Sequence, residues 1–98
     1  MRYLAIFTDI PDGAAIRAQW TPAHQAFLRE HKGKIRLAGA VRDEHGGVAK
    51  GGVWLFDTDS KQEADAIVRT DPFFINGLRA SYELLAWGTA PGYEDVVV

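Results

Sequence analysis

Three segments of the chain, residues 2–8, 52–56 and 79–87, carry apolar side chains at odd and even positions alike, so a sheet built from them is apolar on both faces. Only two stretches of the sequence read as full helices, and one layer of two helices covers one face of a four-stranded sheet. The second face needs another cover. Association of two copies about a two-fold axis is the commonest way to supply it, so the pattern predicts a homodimer.

The first strand, residues 2–8, closes at the turn sequence Asp9-Ile10-Pro11-Asp12-Gly13. From 14 to 32, Ile16, Trp20, Ala23 and Phe27 recur at three and four, the spacing of one helical face. Pro22 interrupts that stretch. An interior proline removes a backbone donor and clashes with the preceding turn, whereas behind a Thr21 cap it is tolerated as the first helical residue, so the main helix is predicted to start at Pro22. Past Gly33, Ile35, Leu37, Gly39 and Val41 alternate with Arg36, Ala38, Ala40 and Arg42 as a second strand. A polar loop over 43–47 leads into a third strand, residues 52–56.

Ser60-Lys61-Gln62-Glu63 has the form of a capping box and opens a helix, with Ala64, Ile67 and Val68 on its apolar stripe, that runs to about Thr70. Asp71 to Gly77 can hold one further helical turn, with Pro72 at a tolerated first position. The fourth strand follows, with Ala80, Tyr82, Leu84 and Ala86 alternating against Ser81, Glu83, Leu85 and Trp87. The order β, α, β, β, α, β is the split βαβ arrangement, which predicts an α+β, ferredoxin-like fold with a four-stranded antiparallel sheet. Residues 1–98 read as one domain, and 89–98 as a C-terminal tail whose three valines are expected to dock on a neighbour.

Eleven Lys and Arg against thirteen Asp and Glu leave a formal charge of -2, so there is no basic field to attract nucleic acid. The absence of cysteine excludes disulfides, thiolate zinc sites and cysteine nucleophiles, and it suits a reducing compartment. The apolar run that ends at Phe7 is too short for a signal segment or a membrane span, so the expected location is the cytoplasm. No HxH or HExxH spacing occurs, and the glycines at 46–47 and 51–52 lack the strand-to-helix context of a phosphate loop. Neither a metal nor a nucleotide cofactor is indicated.

His24 is the histidine on the apolar stripe of the first helix, one turn past Trp20. An unperturbed imidazole titrates at about pH 6.5, which suits a general acid or base if an acceptor fixes its tautomer. The alternative is a buried histidine satisfied by a backbone carbonyl. Asp71 is the natural acceptor. If both helical segments start at one sheet edge, His24 lies 12 residues past Asp12 and Asp71 lies 11 past Ser60. At about 1.5 Å per residue both stand roughly 16–18 Å from that edge. Asp71 before Pro72 also reads simply as an N-cap. His31 suits a helix C-terminus, His45 a solvated loop, and Ser81 has no neighbour to activate it. Trp20, Trp54 and Trp87 each lie on an apolar stripe or strand, which favours core or interface over a substrate cage.

Taken together, strand one, Pro22-Ala23-His24 with Phe27-Leu28 behind it, Leu37-Ala38-Gly39, the apolar third strand, and Asp71-Pro72-Phe73 with Gly77 resemble the YCII-related proteins over most of residues 1–90. The Gly46-Gly47 hairpin and the tail lie outside the resemblance. It implies a dimeric α+β barrel, similar in architecture to muconolactone isomerases and small antibiotic-biosynthesis-type monooxygenases, with an active-site His and Asp at His24 and Asp71. One branch of those proteins is associated with dechlorination of a chlorinated hydroxyhydroquinone. The expected function is a cofactor-independent enzyme on a small cyclic or aromatic substrate, by isomerase, lyase or dehalogenase chemistry. Trp20, Gly39 and Phe73 are the candidate substrate contacts in a cleft between the first helix and the sheet. The alternative is a non-catalytic module of the same fold that binds a small ligand or a partner.

Overall fold

The computed structural model describes residues 1–98. Its elements are β1 (Arg2–Asp9), α1 (Ala14–Glu30), β2 (Ile35–Val41), β3 (Gly51–Asp57), α2 (Lys61–Val68), α3 (Pro72–Ile75) and β4 (Arg79–Ala86). The strands form one antiparallel sheet in the order β2-β3-β1-β4, the ferredoxin-like topology that the order of elements predicts. Tyr3, Ala5 and Phe7 of β1, Trp54 and Phe56 of β3 and Leu84 of β4 point to one face and pack with Phe27, Ala64 and Val68 of the helices as the core. No helix is long and apolar enough to cross a membrane.

Helix α1 begins eight residues before the predicted start, and Pro22 lies inside it. An interior proline costs a helix about 3 kcal/mol or more. Contacts of the first two turns offset that loss. Arg17 Nη2 donates to Asp9 Oδ2 at 2.6 Å, and Gly13 lies so close to the core that a Cβ there would stand 2.6 Å from Leu78 Cδ1. The Ser60 hydroxyl accepts from the Glu63 N–H at 3.1 Å, as the capping box predicts, but the Glu63 carboxylate turns to Lys34 Nζ, also at 3.1 Å.

Two register shifts change which face a side chain joins. On β2, Ile35 pairs with Phe56 but Leu37 with Leu55, so Arg36 is an extra residue and Ile35 faces the helices while Leu37 and Val41 face away. The simple alternation expected for this strand therefore breaks after its first residue. On β4, Ser81 pairs with Thr8 but Arg79 with Asp9, so Ala80 is the extra residue. Counting by twos puts Arg79 on the outer face with Ser81 and Glu83. The bulge turns it inward instead.

The tail lies along the outer face of the chain's own sheet. Tyr93, Val96 and Val98 line an apolar cavity of about 430 Å3 together with Leu4, Leu37 and Leu55 of the outer face, and Arg2 donates to the Val98 carbonyl at 3.3 Å. That cover is partial, since Ile6 remains 37% exposed, Leu85 45% and Leu37 58%.

Candidate active site

Residues 17, 21, 24 and 28 of α1 fall on one stripe by helical spacing, and that stripe forms one wall of a cavity of about 270 Å3. Ala38, Gly39 and Ala40 of β2 and Gly51, Gly52 and Trp54 of β3 form its floor, with Phe73 and Arg79 at the inner end. The floor carries no side chains where β3 begins, because that strand opens with two glycines. A Cβ on Gly51 would stand 2.1 Å from the Phe7 carbonyl oxygen, so β1 and β3 approach closely only with glycine there.

His24 is buried in this wall, and its Nδ1 lies 2.6 Å from Asp71 Oδ1. Asp71 opens α3 as its N-cap, with extended backbone (φ -64°, ψ 129°) and Pro72 at the first helical position. The same Oδ1 accepts from the Phe73 N–H at 3.2 Å. An ionised carboxylate only accepts, so the imidazole donates from Nδ1, and Nε2 is the ring nitrogen left for the cavity that His24 lines. Both readings of Asp71, cap and acceptor, therefore describe one geometry. The backbone-carbonyl partner considered for His24 is replaced by a carboxylate; His31 is the histidine that takes such a partner, through Nδ1 to the Phe27 carbonyl at 2.9 Å.

Aromatic rings fix the plane of the imidazole. Phe73 stacks on it at 4.0 Å between centroids and 17° between planes, and Trp54 lies at 6.0 Å and 27°. Behind Asp71 stands Arg79, whose side chain is 2% exposed. Its Nη1 donates to Asp9 Oδ1 at 2.9 Å, and its Nη2 lies 3.9 Å from Asp71 Oδ2. Burial pushes the Arg79 pKa down while Asp9 and Asp71 pull it back up. Asp71 Oδ2 has no hydrogen-bond partner among the protein atoms, so the Arg79 charge is what it leans on. Asp9 holds both Arg79 and Arg17, one guanidinium on each carboxylate oxygen.

Of the sequence candidates, His24, Asp71 and Phe73 come together, and Gly39 joins the cavity floor. Gly39 contributes backbone alone, because a side chain there would point to the outer face with no atom within 4 Å. Trp20 does not reach the cavity. It adjoins Thr21, which does, and one residue turns a helix by about 100°, enough to carry the indole off that wall. Arg17, Arg42 and Arg79 line the cavity without having been singled out in the sequence. No three His, Cys, Asp or Glu side chains converge as metal ligands would.

Several solved structures share this architecture. The 5-chloro-2-hydroxyhydroquinone dehydrochlorinase TftG from Burkholderia phenoliruptrix AC1100, in complex with 2,5-dihydroxybenzoquinone, is 26% identical with a TM-score of 0.84 over 92% of this chain and 96% of that one. Protein Atu4242 from Agrobacterium tumefaciens is 14% identical with a TM-score of 0.58, over 94% and 96% of the two chains. SnoaB, a cofactor-independent oxygenase from Streptomyces nogalater, is 15% identical with a TM-score of 0.50, over 93% and 95%. The last two are similar in fold alone. No curated protein sequence matches the chain. The YCII-related domain matches residues 1–88, and by that match the chain belongs to the YCII-related domain family.

Proposed function

We infer that this protein is a cofactor-independent enzyme in which His24, aimed by Asp71, moves a proton on a small cyclic or aromatic substrate held between α1 and the sheet. The observation that carries this reading is the 2.6 Å contact between His24 and a fully buried Asp71, at the wall of a cavity. A carboxylate on Nδ1 stabilises the imidazolium that forms when Nε2 takes a proton. The electron pair left on the substrate then shifts to another ring atom, which the imidazolium reprotonates, giving isomerisation. Alternatively it expels an anion such as chloride, giving elimination. A cavity of about 270 Å3 sits just below the roughly 300–1,000 Å3 usual for small-molecule sites, which suits a single ring. Similarity to a dehydrochlorinase of a hydroxylated ring supports the same substrate class. The reading includes a homodimer, supported by the apolar side chains left on the outer face.

Deuterium incorporation into ring C–H positions of hydroxylated arenes and cyclic enones, followed by NMR in D2O, measures proton transfer directly. Chloride release from 5-chloro-2-hydroxyhydroquinone measures elimination. His24→Ala and Asp71→Asn are expected to slow the reaction found by roughly 100-fold or more. The amide oxygen of Asp71→Asn still accepts from the Phe73 N–H, so the cap of α3 is kept. Unchanged rates in His24→Ala overturn the reading. Binding without exchange or chloride release assigns the cavity to a binding module.

A further inference from the structure

Every ionisable side chain that lines the cavity is cationic or becomes so on protonation: Arg17, His24, Arg42 and Arg79. No carboxylate reaches its surface in a chain whose formal charge is -2. Asp9 and Asp71 stand behind that wall, with side chains 4% and 0% exposed, and offset two of the guanidinium charges. The third has no such partner. Arg42 donates from Nε to the Gly47 carbonyl at 2.9 Å and meets no acid, so the cavity holds one unmatched positive charge while His24 is neutral.

The arginines differ in what they have left to give. Arg79, at 2% exposure, is committed to Asp9 and Asp71. Arg17 uses Nη2 for Asp9 and for the Gly51 carbonyl, yet its side chain keeps 21% exposure and it lines the cavity. Its guanidinium carbon lies 5.0 Å from the Phe73 ring centre, and that ring stacks on His24 at 4.0 Å. Guanidinium and imidazole are therefore separated by no more than the sum of those two distances, a span that one substituted six-membered ring bridges.

We propose that the cavity selects a ring carrying an ionised oxygen group, a carboxylate or an acidic ring hydroxyl, and that Arg17 and Arg42 bind that charge while the ring lies against His24. This rests on the reading of the cavity as the substrate site and adds the charge of what enters it. A charged hydrogen bond between guanidinium and oxyanion is stronger than a neutral one, and the half-buried Arg17 beside the Phe73 ring is screened less by water than the exposed Arg42.

Binding measured by NMR titration at pH 7 tests the proposal without turnover, with benzoate and 2,5-dihydroxybenzoquinone as the two kinds of anion and benzamide as the neutral isostere of benzoate. At least one anion is expected to bind wild-type protein about tenfold more tightly than benzamide and to weaken as salt is added. Arg42→Gln, a change at an exposed side chain, should remove most of that preference and leave benzamide unaffected; Arg17→Lys should weaken the anion less than Arg17→Gln. Benzoate binding alone assigns the site to carboxylates, and quinone binding alone to acidic hydroxyls. Equal affinity for anions and benzamide, or an anion preference intact in Arg42→Gln, or no binding of either anion, overturns the proposal. If anions are preferred but no compound exchanges protons, the charge assignment stands and the enzyme reading falls; exchange without charge preference gives the reverse.

Discussion

Asp9 and Arg79 are register partners across β1 and β4, joined at 2.9 Å, because Ala80 is an extra residue that lets Arg79 turn to the helix side of the sheet. A strand without that bulge aims residue 79 at the outer face, and Asp71 Oδ2 loses the cation 3.9 Å away.

Removal of that cation should therefore be felt in the whole fold. Arg79→Met leaves two buried carboxylates short of a partner and is expected to lower stability by about 3–5 kcal/mol, a large share of what a small domain has. Arg79→Lys, which keeps the charge but not the fork, should lose less. Urea denaturation with an unchanged m-value checks both, and a loss below about 1 kcal/mol in Arg79→Met contradicts the role given to this side chain.

Two of the glycines on the paired strands β2 and β3, Gly39 and Gly51, make opposite predictions. A Cβ at Gly51 meets the Phe7 carbonyl oxygen at 2.1 Å, while one at Gly39 meets nothing within 4 Å. Gly51→Ala is expected to cost about 2–4 kcal/mol and Gly39→Ala less than about 0.5 kcal/mol. In melts this separates the variants by well over 4 °C, since about 1 kcal/mol moves the midpoint of a domain this size by roughly 4–8 °C.

Tyr82 on β4 and Asp65 on α2 give the stability curve two edges. The Tyr82 hydroxyl donates to Asp65 Oδ1 at 2.5 Å, and Arg69 Nε donates to the other oxygen at 2.9 Å. The hydrogen bond from Tyr82, with help from Arg69, holds the Asp65 pKa below its ordinary 3.8, so its stabilisation is complete above that value and lost as pH falls through the folded one. Burial and then the bond to Asp65 push the Tyr82 pKa above its ordinary 10.0, so its stabilisation is present below 10.0 and lost as pH rises through the folded value. Tyr82→Phe is expected to cost about 1 kcal/mol at pH 7. The gap between wild type and variant should close at both extremes of a pH series of denaturation curves; a gap constant with pH contradicts the assignment.

A homodimer through the outer face makes Ile6 a sensitive position, since it is 37% exposed on β1, near the middle of the sheet. Ile6→Asp should halve the mass seen by sedimentation equilibrium while circular dichroism stays the same. A wild-type monomer at micromolar concentration, or a dimer unaffected by the aspartate, ends that reading.

The strands, their order and the meeting of His24 with Asp71 are legible in the sequence because each depends on a period of two, of 3.6, or on helical rise. The bulges at Arg36 and Ala80 are not, because counting by twos assumes that no residue is inserted, and Arg79 was missed for that reason. The start of α1 was missed because local rules weigh Pro22 alone, while the contacts of Arg17 with Asp9 and of Gly13 with Leu78 join segments distant in sequence or in other elements. Nothing in the local spacing of Arg17 and Arg42 sets them apart from the chain's other charged residues. What draws them to one cavity is the packing of α1 over β2 and β3, which charge patterning does not reveal.

The oxygen of Asp71 that starts α3 is also the oxygen that aims the imidazole. Selection for folding alone will therefore keep an oxygen acceptor at position 71, aspartate or asparagine, even in a lineage that has stopped turning anything over. His24 caps no helix and carries no such second duty. On the proposed reading, a relative that keeps an oxygen at position 71 but has lost the imidazole at position 24 has lost the chemistry, and the oxygen by itself marks only a well-formed turn.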